Sequence, residues 1–167
     1  MKSTLLKLPE MKFKLKLLIC LSLLLSATAC LKVELFEKNV SIPHHQWDSK
    51  FKPTVQFNIE DTVSAYDVFV VIRHTDAYNY NNIWVNLYIQ APGEAQSSQQ
   101  LDIPLASNEK GWLGKGMDDI FEHRYKITRQ PIVFRKAGIY SFSLEQIMRE
   151  NPLDHVLDVG LRVEKSH

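Results

Sequence analysis

The chain has 167 residues, 45 % of them hydrophobic, and its 20 Lys and Arg nearly balance 19 Asp and Glu. A formal charge of +1 excludes the strongly basic footprint of a nucleic-acid binder. The length holds one domain with one adequate core once a targeting segment is set aside.

From Met11, the residues Lys12, Lys14 and Lys16 make a positive region, residues 17–25 make an apolar run, and Ser26-Ala27-Thr28-Ala29 leads into Cys30. This is the layout of an export signal; Pro9 and Glu10 suit its positive region poorly and favour Met11 over Met1 as the start, and either start gives the same mature chain. The apolar run is shorter than the roughly 20 residues that span a bilayer, so cleavage is expected. A cysteine directly after the small residues marks a lipoprotein signal, in which the thiol of Cys30 takes the lipid; Ala27 stands where Leu is usual. Residues 1–29 are therefore read as the signal peptide, 30–42 as the lipidated cysteine with a tether or first strand, and 43–167 as the folded domain. Removal of 1–29, which carries five Lys and one Glu, leaves 138 residues with 15 basic and 18 acidic side chains, a formal charge of −3. Cys20 leaves with the signal and Cys30 is acylated, so neither a disulfide nor a Cys-ligated metal is expected in the domain.

Residues 31–41 carry mixed charge around Leu35 and Phe36 and lead into a first strand, and residues 43–53 form a loop between two prolines. Val55, Phe57 and Ile59 then alternate with Gln56, Asn58 and Glu60, the period of a half-buried strand. Residues 66–73 are β-branched and nearly continuous, which predicts a central strand covered on both faces. After the Asn-rich turn at 79–82, Ile83, Val85, Leu87 and Ile89 share one strand face, with Trp84 and Tyr88 on the other. Pro92-Gly93 breaks that strand, and residues 100–105 are short and extended. Residues 106–126 have three Gly, two adjacent Asp and no clean period; they read as a long loop with one helical turn, a kind of loop that often carries function. Residues 131–134 and 139–144 flank Arg135-Lys136-Ala137-Gly138 and predict a hairpin. Residues 145–150 favour a helical turn stopped by Asn151-Pro152, and 156–164 close the chain as a strand. About seven or eight short strands with almost no helix predict a mostly β, single-domain antiparallel β-sandwich.

Gly111, Gly114, Lys115 and Gly116 resemble a phosphate loop only superficially, because Glu109 and Gly116 occupy the places where that motif needs Gly and Ser or Thr. Asp118, Asp119, Glu122 and His123 are the densest group of potential ligands; at helical spacing Asp118 pairs with Glu122 and Asp119 with His123. Lys115, Arg124 and Lys126 flank them, so salt bridges that fix a loop are a simpler account than a hard cation, and no metal is assigned. A hydrolase could use Asp118, Asp119 and Glu122, yet no nucleophile elbow accompanies them and no catalytic residue is assigned. Tyr78, Tyr80, Trp84 and Tyr88 are candidates for glycan stacking, with packing against another layer as the simpler reading. His44-His45 lacks a third ligand and reads as loop.

The stretch Gly111-Trp112-Leu113-Gly114-Lys115-Gly116-Met117-Asp118-Asp119-Ile120-Phe121-Glu122-His123-Arg124, together with residues 138–149 and 158–165, resembles the gliding-motility lipoprotein family GldH of the Bacteroidetes. Residues 81–85 and 102–106 fit as well, so the resemblance covers most of the chain after Cys30 in order. It implies a cell-envelope lipoprotein needed for gliding and linked in that phylum to type IX secretion, with no catalytic residue and no cofactor. Members in organisms that do not glide make an envelope or secretion role the broader expectation. The chain is thus expected to bind a membrane through acyl chains and an envelope protein through Trp112, Lys115, Asp118, Asp119, Glu122, His123 and Arg124. A glycan-binding module and a hydrolase are the alternatives. Leu31, rather than an Asp that retains lipoproteins at the inner membrane, follows Cys30 and favours the outer membrane, with its periplasmic and surface faces both open.

Overall fold

The structure, a computed structural model, describes residues 35–166; the signal segment and Cys30 lie outside the described residues. Fourteen strands are found among them: β1 (Leu35–Ser41), β2 (Gln46–Trp47), β3 (Thr54–Ile59), β4 (Ala65–Thr75), β5 (Asn82–Gln90), β6 (Ser97–Pro104), β7 (Ala106–Ser107), β8 (Gly111–Trp112), β9 (Lys115–Met117), β10 (Ile120–Lys126), β11 (Ile132–Val133), β12 (Gly138–Gln146), β13 (Leu153–Asp154) and β14 (Val156–Lys165). One large sheet has the order β1-β14-β4-β10-β9, with β11 paired to the start of β4, and the other has the order β3-β12-β5-β6. All these pairings are antiparallel. The two sheets form the β-sandwich that the strand periods predict.

Alternation decides what lies between the layers. Val68, Val70 and Ile72 of β4 stand opposite Val163, Leu161 and Val159 of β14, and all six are buried. From the other sheet, Val55 and Phe57 of β3, Phe142 and Leu144 of β12, and Val85 and Leu87 of β5 complete the core. β4 is central, as expected, but only its inward face is buried throughout: outward Asp67, Phe69, Arg73 and Thr75 are half-buried on the outside of the sandwich. Its outward Val71 is fully buried between its cross-strand neighbours Gly160 and Arg124.

Three further local expectations are corrected. Residues 131–134 and 139–144 do not form a hairpin. The edges of β12 are taken by β3 over Gly138–Ser143 and by β5 over Ser141–Gln146, so Ile132 and Val133 pair instead with Tyr66 and Ala65, at the stretch of β4 beyond the end of β10. Residues 106–126 are not one long loop: Ile120–Lys126 runs the length of β4 from Thr75 to Phe69. Residues 145–150 hold no helical turn, since β12 continues to Gln146 and a bend follows.

The registers give the sandwich two distinct ends. Leu35, Glu164, Lys165, Ala65, Tyr66 and β11 meet at one, which is also where the chain enters from its N-terminal segment. We call this the tether end. The loops 60–64, 91–96 and 127–137 gather there. Loops 42–53, 76–81, 105–119 and 147–155 gather at the far end, and the rise along β4 from Tyr66 to Thr75 sets the two about 30 Å apart.

Candidate functional site

The far end is organised around a buried pair of histidines. β4 places His74 on the same inward face as Ile72, and β10 places Phe121 and His123 beside them, because Phe121 lies opposite His74 and His123 opposite Ile72. The two imidazoles stack with centroids 4.9 Å apart, and Trp112 meets the His74 ring edge-on at 4.4 Å. Tyr78 and Phe121 complete an aromatic box around His74. The loop bearing Trp112 is tied down by backbone hydrogen bonds, from Leu105 and Ala106 to the carbonyl of Asn81 and from Leu113 to the carbonyl of Leu105.

Hydrogen bonding fixes the protonation of the pair. His74 Nδ1 lies 2.7 Å from the Thr75 carbonyl oxygen, which can only accept, so Nδ1 carries the proton. In a neutral imidazole the other nitrogen is then an acceptor, and His123 Nε2–H donates to His74 Nε2 across 2.9 Å. Burial holds both imidazoles below the usual histidine range, His123 down to about 4, where His74 as a neighbouring cation adds to the effect. Gly114 passes so close that a Cβ there would meet the Glu122 carbonyl oxygen at 2.5 Å and His123 Nε2 at 2.8 Å. The glycine is needed for that close approach rather than for a phosphate.

The seven residues expected to contact a partner fall into three groups. Trp112 and His123 belong to the interior box. Lys115, Asp118 and Asp119 are exposed on the far rim. Glu122 and Arg124 point to the outer face of the six-stranded sheet, since neighbours along a strand alternate faces. There Glu122 binds Arg73 and Arg124 at 2.8 Å each, and Arg124 also reaches Glu37. The helical pairing of Asp118 with Glu122 and Asp119 with His123 is therefore corrected, because the segment is a turn followed by a strand. No group of three metal-ligating side chains occurs among the described residues.

Two clefts flank β9. One, of about 370 Å³, is lined by Pro104, Leu113, Gly114, Lys115 and His123 among others. The other, of about 380 Å³, is bounded by Arg73, Lys115, Met117, Leu157 and Asp158. Burial raises the Asp158 carboxyl pKa against the opposing effect of Arg73. Leu113 and Met117 stand exposed beside Lys115, Met117 at 75 %. Neither was singled out from the sequence, although an apolar residue on each side of Gly114-Lys115-Gly116 was a visible signal. His74 was missed because the strand reading stopped at Arg73, one residue short.

The four candidate glycan residues meet in pairs, Tyr78 with Tyr80 at 5.7 Å between ring centroids, but do not form one exposed surface. Tyr78 is buried in the box, where burial pushes its phenol pKa up. Tyr80 donates to Glu150 at 2.8 Å. Trp84 and Tyr88 do share the outer face of the four-stranded sheet, as alternation predicts. The Tyr88 hydroxyl is held by Glu145, and the Lys52 ammonium sits 4.6 Å from its ring centroid, on the surface a sugar would need. Tyr80 and Trp84 line a cleft of about 510 Å³ with Met148 and Arg149.

Comparison with known proteins gives a family. Residues 34–163 match the family model described as GldH lipoprotein. A protein of Christiangramia forsetii named "Gliding motility lipoprotein GldH homolog" is 29 % identical over 148 residues, which cover 83 % of this chain and 88 % of that protein. "Gliding motility lipoprotein GldH" of Flavobacterium johnsoniae is 26 % identical over 144 residues, covering 82 % of this chain and 88 % of the relative.

Proposed function

The chain belongs to the GldH lipoprotein family, and we propose that it is a lipid-anchored accessory of gliding motility or type IX secretion that holds a protein partner without catalysis. Residues 1–29 are removed on export, Cys30 carries the acyl chains at the outer membrane, and the sandwich follows after a few tether residues. The observation that carries this reading is the polarity of the sandwich. The chain enters at the tether end, while Leu113, Lys115, Met117, Asp118 and Asp119 are exposed at the opposite one. An apolar pair ringed by charges, with clefts on both sides of β9, has the make-up of a small protein-docking site.

The family's printed names describe gliding-motility lipoproteins, which supports the envelope role. The separation of the carboxylates supports a non-catalytic one. Glu122 is committed to two arginines, whereas Asp118 and Asp119 lie in the preceding turn, so the three carboxylates of the hydrolase alternative are not gathered in one cleft.

The test is a pull-down from detergent-solubilised envelope, comparing wild type with Lys115→Glu and Met117→Asp. Both positions are exposed, so melting temperatures are expected to stay the same while recovery of motor or secretion components falls at least tenfold. Equal recovery by the variants would remove the far end as the docking site. Recovery of polysaccharide with no protein would favour a glycan-binding module instead.

A further inference from the structure

Eight large apolar side chains are exposed among the described residues, and four of them, Val63, Ile132, Val133 and Ile139, lie at the tether end. Val63 is 86 % exposed and cannot fold back, because Asp61 Oδ1 accepts from the backbone N–H of both Val63 and Ser64. That turn is fastened to the end of β14 through Lys165, 3.1 Å from Asp61 Oδ2. Ile132 and Val133 are held out in a comparable way. Their loop is pinned by buried Phe134, which packs on Phe57, Tyr66 and Tyr140, and by strand pairing to β4. Holding apolar side chains in water on rigid turns costs free energy in the isolated domain.

The charges of the loop that carries Ile132 and Val133 have one sign. Between 127 and 137 there are Arg129, Arg135 and Lys136 and no acid. Lys136 is paired with Glu94, and both arginines are exposed, with no carboxylate of the described residues within salt-bridge distance. Of the acids at this end, Asp61 is engaged by Lys165, Glu94 by Lys136 and Glu164 by Arg162, while exposed Glu60 accepts from Asn58 and keeps its charge.

From these placements we infer that the tip formed by Val63, Ile132, Val133, Arg129 and Arg135 docks on the phospholipid surface that carries the anchor. The inference rests on the lipid-anchor reading. Four residues, 31–34, lie between Cys30 and Leu35, so five chain steps keep the acylated residue within about 17 Å of the start of β1. Across the sheet, β14 and β4 stand between β1 and β11, which puts Ile132 about 14 Å to the side of Leu35. With the anchor in the bilayer, the apolar tip therefore reaches the headgroup layer, where its side chains leave water and the two arginines meet lipid phosphate. Docking sets the long axis of β4 upright and points the Trp112 loop away from the membrane.

The test uses the full lipidated protein reconstituted in phosphatidylethanolamine vesicles with one quarter phosphatidylglycerol. An environment-sensitive dye is placed on a single introduced cysteine at Val63→Cys, Val133→Cys or, as the far-end control, Met117→Cys. The acylated mature chain has no competing thiol, which keeps the labelling specific. Blue-shifted emission, quenched by spin-labelled lipid, is expected at Val63 and Val133 and not at Met117. Replacing both Arg129 and Arg135 by Ala is expected to lower the docked-to-undocked ratio about 10- to 30-fold, and neutral phosphatidylcholine vesicles are expected to weaken docking in the same direction. Protein that floats with the vesicles while all three dyes report water would overturn docking and leave the anchor standing. Protein that does not float at all would overturn the anchor and docking together.

Discussion

His74 and His123 are neutral at pH 7 for a reason that makes the fold sensitive to acid. A buried imidazole whose pKa is lower folded than unfolded leaves the unfolded chain to take up protons first as the pH falls. Stability is then complete above about pH 6.5 and is lost between there and about 4. Other shifted groups act elsewhere on the scale. Asp61 and Glu145, whose hydrogen bonds hold them below the carboxylate range, lose stabilisation only as the pH falls past about 4. Asp158, raised by burial, works in the opposite sense. The loss between pH 6.5 and 5 therefore belongs to the histidine pair. Unfolding free energies from urea titrations across that interval are expected to fall, at up to about 1.4 kcal/mol per pH unit for each histidine. His123→Gln, which keeps a donor for His74 Nε2, is expected to halve the slope, and an unchanged slope would show that the pair is not its source. Little of this was legible in the sequence. His123 was noticed as one member of an acidic cluster, but its partner comes 49 positions earlier, and that spacing carries no local signal.

β10 shows how one residue pattern supports two structures. Its Phe121, His123 and Tyr125 alternate with Glu122, Arg124 and Lys126, which is strand period, yet Asp118-Glu122 and Asp119-His123 also fit the i, i+4 pairs of a helix. Pairing with the free edge of β4 decided the outcome. The strands that could be read from the sequence, β3, β5 and the part of β14 beyond its bulge at residues 156–158, carry their inward residues in alternation and need no distant partner to be recognised. The hairpin at Gly138 failed for the converse reason, since the true partner of Ile132 and Val133 lies in β4. On the outer face, β10 joins β1, β4 and β14 through a charge network. Arg73 holds Glu122 and reaches Asp158 at 3.5 Å, while Glu37 holds Arg162 at 2.8 Å and reaches Arg124. Arg73→Ala leaves half-buried Asp158 without its cation. Because the guanidinium is partly exposed, a cost of about 1 kcal/mol is expected in urea unfolding, together with a further rise in the Asp158 pKa measured by NMR. Neither change would occur if the network were only a solvated surface.

At the scale of the molecule, the proposed partner site lies at the end of the sandwich opposite the proposed membrane-facing one, and an anchor makes that separation matter. A membrane tether restricts the domain to a thin layer, so a partner in the same membrane meets it at a far higher effective concentration than free diffusion would give. A weak far-end interface can then be sufficient. The signal and anchor are expected from contiguous residues that lie outside the described ones, whereas the two ends of the sandwich emerge only once strand registers are known. Cys30→Ala with export retained separates the contributions. The sandwich from β1 onward does not depend on the thiol, so the soluble variant is expected to melt at the wild-type temperature. Crosslinking to its envelope partner at native expression is expected to drop on the order of 10²-fold, and overexpression should restore part of it, because mass action replaces the lost confinement. Undiminished crosslinking at native levels would mean that the far-end interface is strong in its own right and that the anchor serves only to place the protein.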